Sequence, residues 1–262
     1  MNLNDKKVLI TGGSSGIGRA IVDALYQSGT RSFAVAGRDE AKLNQLAKDY
    51  PEASFLYLHG NVGNPTDVMA FIKKVDQEWA GLDILINNAG VVSAGPLEDI
   101  SDEDIIAQID INLTGLILLT KHALPLLKKS TEAAIINVSS GLGVIGLPFY
   151  ATYAAAKAGT VNFSEALRRE LRDFPIHVMT VYPTATDTPM MKTANTSNMD
   201  TPEAVAESTI RGLLAGEIDV FRGGTQMLEN RKLNFEHPLE YDEKVKGMYW
   251  AMKERASKHR SM

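Results

Sequence analysis

The chain has 262 residues, a formal net charge of −5, and 44% hydrophobic and 23% charged residues, as in an ordinary globular protein. The negative charge argues against broad nucleic-acid binding, and the lack of cysteine excludes disulfides, thiol nucleophiles and thiolate metal sites. The histidines are scattered without ligand-like pairing, which disfavours a metal site. No stretch is typical of a transmembrane helix or a signal peptide, so we expect a cytoplasmic protein.

The first predicted elements are a strand over residues 7–11, a glycine-rich turn and a helix to about residue 29. Glycines let the backbone approach a ligand closely, and the helix that follows presents free N–H groups to a phosphate. The order of strand, glycine-rich turn and helix favours dinucleotide binding. The alternative is that the glycines form a turn that binds no ligand. The candidate binding residues are Gly12, Ser14, Ser15, Gly16, Ile17 and Gly18.

The second predicted strand, residues 32–36, is followed by Gly37 and Arg38. In dinucleotide-binding folds an acidic residue near this point holds the ribose hydroxyls of NAD, whereas an arginine accommodates the 2′-phosphate of NADP. Arg38 therefore favours NADP(H), because a guanidinium matches the geometry of a phosphate. Alternatively, Arg38 is a surface residue paired with Asp39 or Glu40.

Helices and strands continue to alternate, with helices predicted over residues 40–50 and 65–79 and strands over 54–58 and 82–86. The last of these strands leads into Asn87, Asn88, Ala89 and Gly90, a small-residue turn of the kind along which a cofactor passes. One long helix is then expected over residues 101–129, with Ser101 and Asp104 as a capping box. Its middle is apolar on nearly all sides, which predicts burial in the core or against a partner subunit.

Tyr153 and Lys157 are the candidate acid/base residues. A glycine-rich loop joins a strand over residues 133–139 to a helix that ends near residue 174, and the four-residue spacing places both side chains on one face of that helix. A cation beside a phenol favours the phenolate and lowers the pKa of the tyrosine, which suits a general acid/base. The spacing alone is weak, because Tyr249 and Lys253 repeat it with no strand or glycine loop before them, and we interpret that second pair as structural.

The remaining elements are strands over residues 176–182 and 219–222, a mobile loop over 183–200 and a helix over 202–215. The alternation predicts a single α/β domain with a doubly wound parallel sheet of about seven strands and helices on both faces. Residues 232–262 form a charged helical extension. Its apolar stripe, which we expect to pack on its own domain or on a neighbour, with membrane docking as the weaker alternative, comprises Val245, Met248, Tyr249 and Met252.

Over residues 5–225 these motifs, in this order, resemble the short-chain dehydrogenase/reductase family, classical type. The resemblance rests on the glycine turn, the turn from Asn87 to Gly90, Asn112 in the long helix, and Ser140 thirteen residues before Tyr153. It implies that Tyr153 is the proton donor/acceptor, that Lys157 lowers its pKa and binds the nicotinamide ribose, and that Ser140 donates to the substrate oxygen. Asn112 would support a water in a proton relay, although a buried amide usually just satisfies nearby backbone.

The resemblance also implies cofactor contacts from Asn61, Val62, Asn88, Ala89, Gly90, Pro183 and Thr188. Two residues depart from the family pattern. Asn61 stands where the family often has an aspartate that contacts adenine, and an amide keeps donor and acceptor capacity there. Thr184 replaces a glycine and removes backbone freedom beside the nicotinamide.

These features predict an NADP(H)-dependent oxidoreductase that interconverts a ketone or aldehyde and an alcohol. The alternatives are a cofactor-binding protein without turnover, acting as sensor or scaffold, and an epimerase or dehydratase. Residues 91–96, 142–150 and 185–191 are expected to line a fairly apolar pocket for a small to medium substrate, or else to serve as lid or interface packing. The apolar long helix and the small-sided helix of Tyr153 favour a homodimer or homotetramer.

Overall fold

The computed structural model describes residues 1–194 and 196–262. Its main sheet has seven parallel strands in the order β3-β2-β1-β4-β6-β7-β8, which confirms the predicted doubly wound fold. The strands of this sheet are β1 (Lys7–Thr11), β2 (Ser32–Gly37), β3 (Ser54–His59), β4 (Ile84–Asn87), β6 (Ala133–Val138), β7 (Ile176–Tyr182) and β8 (Asp219–Phe221). A separate antiparallel pair joins β5 (Val92–Ser93) to β9 (Arg260–Ser261).

Helices cover both faces of the sheet, because each central strand is apolar on both sides. In β1, Val8 and Ile10 enter one core cluster while Leu9 enters the other, as the two-residue period of a strand requires. The helices are α1 (Gly16–Gln27), α2 (Glu40–Asp49), α3 (Pro65–Trp79), α4 (Asp102–Ile109), α5 (Gly115–Leu127), α6 (Ala151–Glu170), α7 (Pro202–Ala215), α8 (Gly224–Glu236), α9 (Pro238–Lys246) and α10 (Tyr249–Ala256).

The single long helix expected over residues 101–129 is divided into α4, a π-helical turn at Asp110–Thr114, and α5. The turn lies beside Gly115, where a side chain would collide with the carbonyl oxygen of Val62. Ser101 caps α4 by accepting from the backbone of Asp104, as predicted. The reciprocal half of the capping box is wrong, because the Asp104 carboxylate instead accepts two hydrogen bonds from Arg260.

The C-terminal helices begin at Gly224, ahead of the predicted extension. Of the predicted apolar stripe, Val245 and Met252 are buried, whereas Met248 and Tyr249 are 43% and 39% exposed. Met248 lies between α9 and α10, so the four residues do not share one continuous helix, and Tyr249 packs on Phe149 with ring centres 5.1 Å apart. Packing of the exposed part of the stripe on a neighbour stays a prediction. The predicted loop at residues 183–200 contains a short 3-10 turn, Pro189–Met191, and includes residue 195, which lies outside the described residues.

Candidate active site

A cavity of about 660 Å³ opens at the carboxyl ends of the parallel strands, where a doubly wound sheet binds its ligands. Most of the predicted site residues line it: Gly12, Ser15, Gly16, Ile17, Arg38, Asn88, Ala89, Gly90, Ser140, Tyr153, Lys157, Pro183 and Thr188. Five predicted residues do not: Ser14, Gly18, Asn61, Val62 and Asn112.

The glycine turn leaves the N-terminus of α1 uncapped on the cavity side and packs closely against the protein at Gly18. Gly12 and Gly16 have φ values of +66° and +51°, which side chains disfavour. Ser15, the N-cap of α1, makes no side-chain capping hydrogen bond, so the first-turn N–H groups are left for an anion. Gly18 has a packing role, because a side chain there would collide with the Gly12 carbonyl and the Asn88 amide.

We therefore expect Gly18→Ala to lower the free energy of unfolding by about 2–3 kcal/mol, since neither backbone nor amide can yield without breaking the turn. Nicotinamide-cofactor affinity should fall with it. Gly146→Ala is the matched control, because no atom lies within 4 Å of a side chain added there. Chemical denaturation and cofactor titration of both variants check this, and equal stability of the two would contradict it.

The turn after β4 is braced against the glycine turn by Thr11 and Asn88. Thr11 Oγ1 accepts from the backbone N–H groups of Asn88 and Ala89 at 3.0 Å each. Asn88 Nδ2 donates to the carbonyl oxygens of Thr11 and Gly12. The Asn88 side chain thus joins two cavity walls, which leaves the backbone of residues 88–90 facing a ligand.

Asn112 lies behind the cavity wall. Its side chain is buried, accepts from Val91 N and donates to Val91 O, both at 2.9 Å. A side chain at Gly90 would lie 2.9 Å from Asn112 Oδ1 and 3.6 Å from Lys157 Nζ, so Gly90 separates the two residues. The Asn112 side-chain amide therefore fixes the backbone beside Lys157, and the backbone carbonyl oxygen of Asn112 accepts from Thr160 Oγ1 at 3.3 Å.

Asn61 and Val62, like Asn112, contact other parts of the protein and do not line the cavity. Asn61 Oδ1 accepts from Gly63 N, and its N–H donates to Asp67. Val62 packs in the core and places its carbonyl against Gly115. Thr184 is absent from the described non-glycine residues with positive φ, so the threonine introduces no backbone strain of that kind.

Ser140, Tyr153 and Lys157 meet in the cavity. Lys157 is 4% exposed; its ammonium donates to Val138 O at 2.9 Å and lies 5.7 Å from the centre of the Tyr153 ring. Burial lowers the pKa of Lys157 to about 8. Burial also raises the pKa of Tyr153 to about 12, an effect that the Ser140 hydroxyl opposes. The expected lowering of the tyrosine pKa by Lys157 is thus not found in the protein alone, because desolvation dominates.

The predicted pocket ranges contribute Val92, Leu142, Ile145, Leu147, Tyr150, Ala185, Thr186, Pro189, Met190 and Met191 to the cavity. Phe149 does not line it and instead packs on Tyr249, with ring centres 5.1 Å apart. The Lys253 ammonium lies 5.4 Å from the centre of the Trp250 ring. Neither member of the second tyrosine–lysine pair lines the cavity, in agreement with a structural role.

The C-terminal segment supplies cavity residues that the sequence did not predict to line it: Met227, Asn230, Tyr241, Met252, Arg255 and His259. The pairing of β9 with β5 brings this segment over the cavity. His259 is 3% exposed and bonds to Tyr150 Oη at 2.9 Å and to Met190 O at 3.2 Å. The apolar Met252 in the predicted stripe was the one signal pointing to this face.

A family model for short chain dehydrogenases matches residues 6–199. The chain belongs to the short-chain dehydrogenase/reductase family. It is an NAD(P)-dependent oxidoreductase of that family, which confirms the resemblance seen in the sequence. The 3-oxoacyl-(acyl-carrier-protein) reductase FabG of Vibrio cholerae is 35% identical over 195 residues, covering 74% of this chain and 79% of the relative.

Two solved structures share the fold. A short-chain dehydrogenase from Sphingobium yanoikuyae, in complex with NADPH, has a TM-score of 0.76 and 28% identity, covering 82% of this chain and 87% of its own. A 3-ketoacyl-(acyl-carrier-protein) reductase from Brucella melitensis, complexed with NADH, has a TM-score of 0.75 and 26% identity, covering 84% of this chain and 98% of its own. Relatives of this fold therefore bind either nicotinamide cofactor.

Within residues 1–194 and 196–262, no group of three or more metal-ligating side chains is positioned to hold an ion. Across the same residues, no helix has both the length and the apolar character needed to cross a membrane.

Proposed function

We propose that this protein interconverts a ketone or aldehyde and an alcohol with NADP(H), using Tyr153 as the general acid/base. The main support is that Ser140, Tyr153 and Lys157 line the same cavity as the uncapped N-terminus of α1. A phenol, a hydroxyl and a buried cation provide proton transfer and oxygen binding without a metal ligand or a thiol.

The nicotinamide cofactor supplies the hydride chemistry when bound. In the reductive direction Tyr153 donates its proton to the substrate oxygen, while Ser140 donates a hydrogen bond to the same oxygen. The pKa of Tyr153, raised to about 12, keeps the phenol protonated at neutral pH and so ready to act as an acid. In the proposed reaction, positive charge at Lys157 offsets part of the desolvation that opposes the phenolate, an effect expected during turnover and not found in the protein alone. A proton relay through Asn112 stays a prediction.

The preference for NADP(H) rests on Arg38 and Lys42, two cations that line the α2 end of the cavity. Asp39, the suggested partner of Arg38, instead pairs with Lys42 at 3.0 Å and caps α2. No carboxylate in the described part of the chain forms an ion pair with Arg38, so its exposed guanidinium is available to a 2′-phosphate.

Arg38→Ala is expected to weaken NADPH binding about 10- to 100-fold and NADH binding less than about 2-fold, because only the first carries the phosphate. Lys48→Ala, also on α2 but outside the cavity lining, is the control. Fluorescence titration with both cofactors provides the measurement. Equal weakening of NADPH and NADH would refute the preference.

The proposed reaction is tested by incubating the purified protein with NADPH or NADH and panels of carbonyl compounds and alcohols. Oxidation of NADPH by ketones or aldehydes supports it. Cofactor binding without turnover on any substrate would favour a sensor or scaffold. Conversion of a substrate with no net change in the cofactor would favour an epimerase or dehydratase.

The substrate is proposed to be small to medium, with a largely apolar body, because leucine, isoleucine and methionine side chains line the cavity. Association into a homodimer or homotetramer is supported by Ile106, which α4 leaves 59% exposed. A cytoplasmic location is likewise a proposal.

A further inference from the structure

Arg255 is a cation on the C-terminal wall of the cavity that has no carboxylate partner in the described part of the chain. It lies on α10, whose Met252 and Ala256 pack against Val92 and Tyr150. Beyond α10 the chain is held by β9, where Ser261 pairs with Val92. The packing of α10 and the pairing of β9 with β5 therefore hold the chain on both sides of Arg255 and restrict the position of its side chain.

The guanidinium has unused donors. Its Nε is buried and has no hydrogen-bond partner, and its central carbon lies 5.7 Å from the centre of the Tyr150 ring. No carboxylate among residues 1–194 and 196–262 forms an ion pair with it. Arg222 and Arg260, by contrast, each make two hydrogen bonds to an aspartate. A buried donor that makes no hydrogen bond destabilises the protein, so binding of a ligand that accepts a hydrogen bond from this Nε is favoured.

The neighbours of Arg255 offer neutral acceptors only: a hydrogen bond between Arg255 and the Tyr150 hydroxyl opposes the effect of burial on the pKa of that phenol, while the buried Nε keeps no partner. His259 Nε2 faces the carbonyl oxygen of Met190, so this nitrogen carries the proton and Nδ1 accepts from the Tyr150 hydroxyl. Burial lowers the pKa of His259, so the ring is neutral at pH 7. Tyr150 therefore directs its proton away from the cavity, and Arg255 is the permanent charge on this wall.

The site lies within reach of the proposed chemistry. Tyr150 is the N-cap of α6, three residues before Tyr153, and both line the cavity. Residues three apart at the start of a helix are neighbours, so Tyr150 adjoins the proposed proton donor Tyr153. Arg255, which lies over the Tyr150 ring, is therefore separated from Tyr153 by that ring. Lys42 lies on α2 and Arg38 directly precedes the N-cap Asp39, so both come from the other half of the chain.

We propose that Arg255 binds a carboxylate on the carbonyl substrate, so that the preferred substrate is a keto acid with an apolar body. A guanidinium presents a planar fork of donors that matches a carboxylate, and the desolvated setting strengthens the pair. This inference rests on the proposed function, because it names the substrate class of the same site.

The test compares a series of 2-, 3-, 4- and 5-keto acids with their methyl esters at saturating NADPH. The unmodified protein is expected to favour at least one acid over its ester by about 10- to 100-fold in kcat/KM, the value of a charged hydrogen bond. Arg255→Met should remove that preference by lowering activity on the acid while leaving the ester within about 3-fold. Arg255→Lys, which keeps the charge but not the fork, should retain part of it.

Lys253→Met is the matched control, since Lys253 is on the same helix but outside the cavity lining, and it should keep the preference for the acid. Equal kcat/KM for acids and esters in the unmodified protein would overturn the inference while the proposed function stands. So would an Arg255→Met variant that weakens NADPH binding and both substrates alike. Failure to reduce any carbonyl compound would overturn both.

Discussion

Tyr153→Phe is expected to lower kcat for carbonyl reduction by about 10²–10⁴-fold, the usual contribution of general acid catalysis. The variant loses the phenol that is proposed to give a proton beside Ser140, and it keeps the ring that packs there. NADPH affinity should stay within about 2-fold, because the phosphate-binding turn is unchanged. Steady-state kinetics and cofactor titration measure the two quantities.

Tyr249→Phe controls for the loss of a phenol from a Tyr-x-x-x-Lys pair. Tyr249 packs on Phe149 outside the cavity lining, so its variant should retain full activity. A Tyr153→Phe enzyme with more than about a tenth of the original kcat would exclude the mechanism, since so small a loss is below the range of general acid catalysis.

Lys157→Met is expected to abolish most activity and to stabilise the fold at pH 7 by about 2 kcal/mol. The pKa of Lys157 is lowered from 10.5 to about 8 by burial, so below pH 8 the chain carries the full cost of a buried cation. A shift of this size corresponds to about 3 kcal/mol. The lost hydrogen bond to Val138 O offsets about 1 kcal/mol of it.

The sign of the pH dependence follows from proton binding. Between pH 8 and 10.5 the unfolded chain holds a proton on Lys157 that the folded chain has released, so the stability of the unmodified protein rises with pH in that window. The advantage of Lys157→Met should therefore shrink from pH 8, vanish before pH 10.5 and reverse there, where only the lost hydrogen bond to Val138 O remains. Tyr153 acts oppositely from pH 10 to 12, where its raised pKa makes stability fall.

Urea denaturation at pH 7, 9 and 10 measures this difference, with Lys253→Met as the exposed-lysine control. A Lys157→Met variant that is less stable than the unmodified protein at pH 7 would show that the cation is compensated in the fold. A constant difference across pH would show that packing, not charge, is its origin.

The main sheet was predictable because each strand is a short apolar run between turn residues. Residues 7–11 and 176–182 were located to the residue, and both lie buried between helix layers. Local periodicity did not predict the break at Asp110–Thr114, which lies beside a contact between Gly115 and the carbonyl of Val62, residues that are far apart in sequence.

By itself, the sequence determined the fold, the glycine turn, and the presence of Tyr153 and Lys157 on one helix face, because local periodicity and spacing encode these features. Only the tertiary structure decided the protonation of that pair, since burial, which spacing does not reveal, raises the pKa of Tyr153 and lowers that of Lys157. It also decided that Arg255 and His259 reach the cavity. They do so through pairing between β5 and β9, which joins Val92 to Ser261 across most of the chain, a contact that no local pattern specifies.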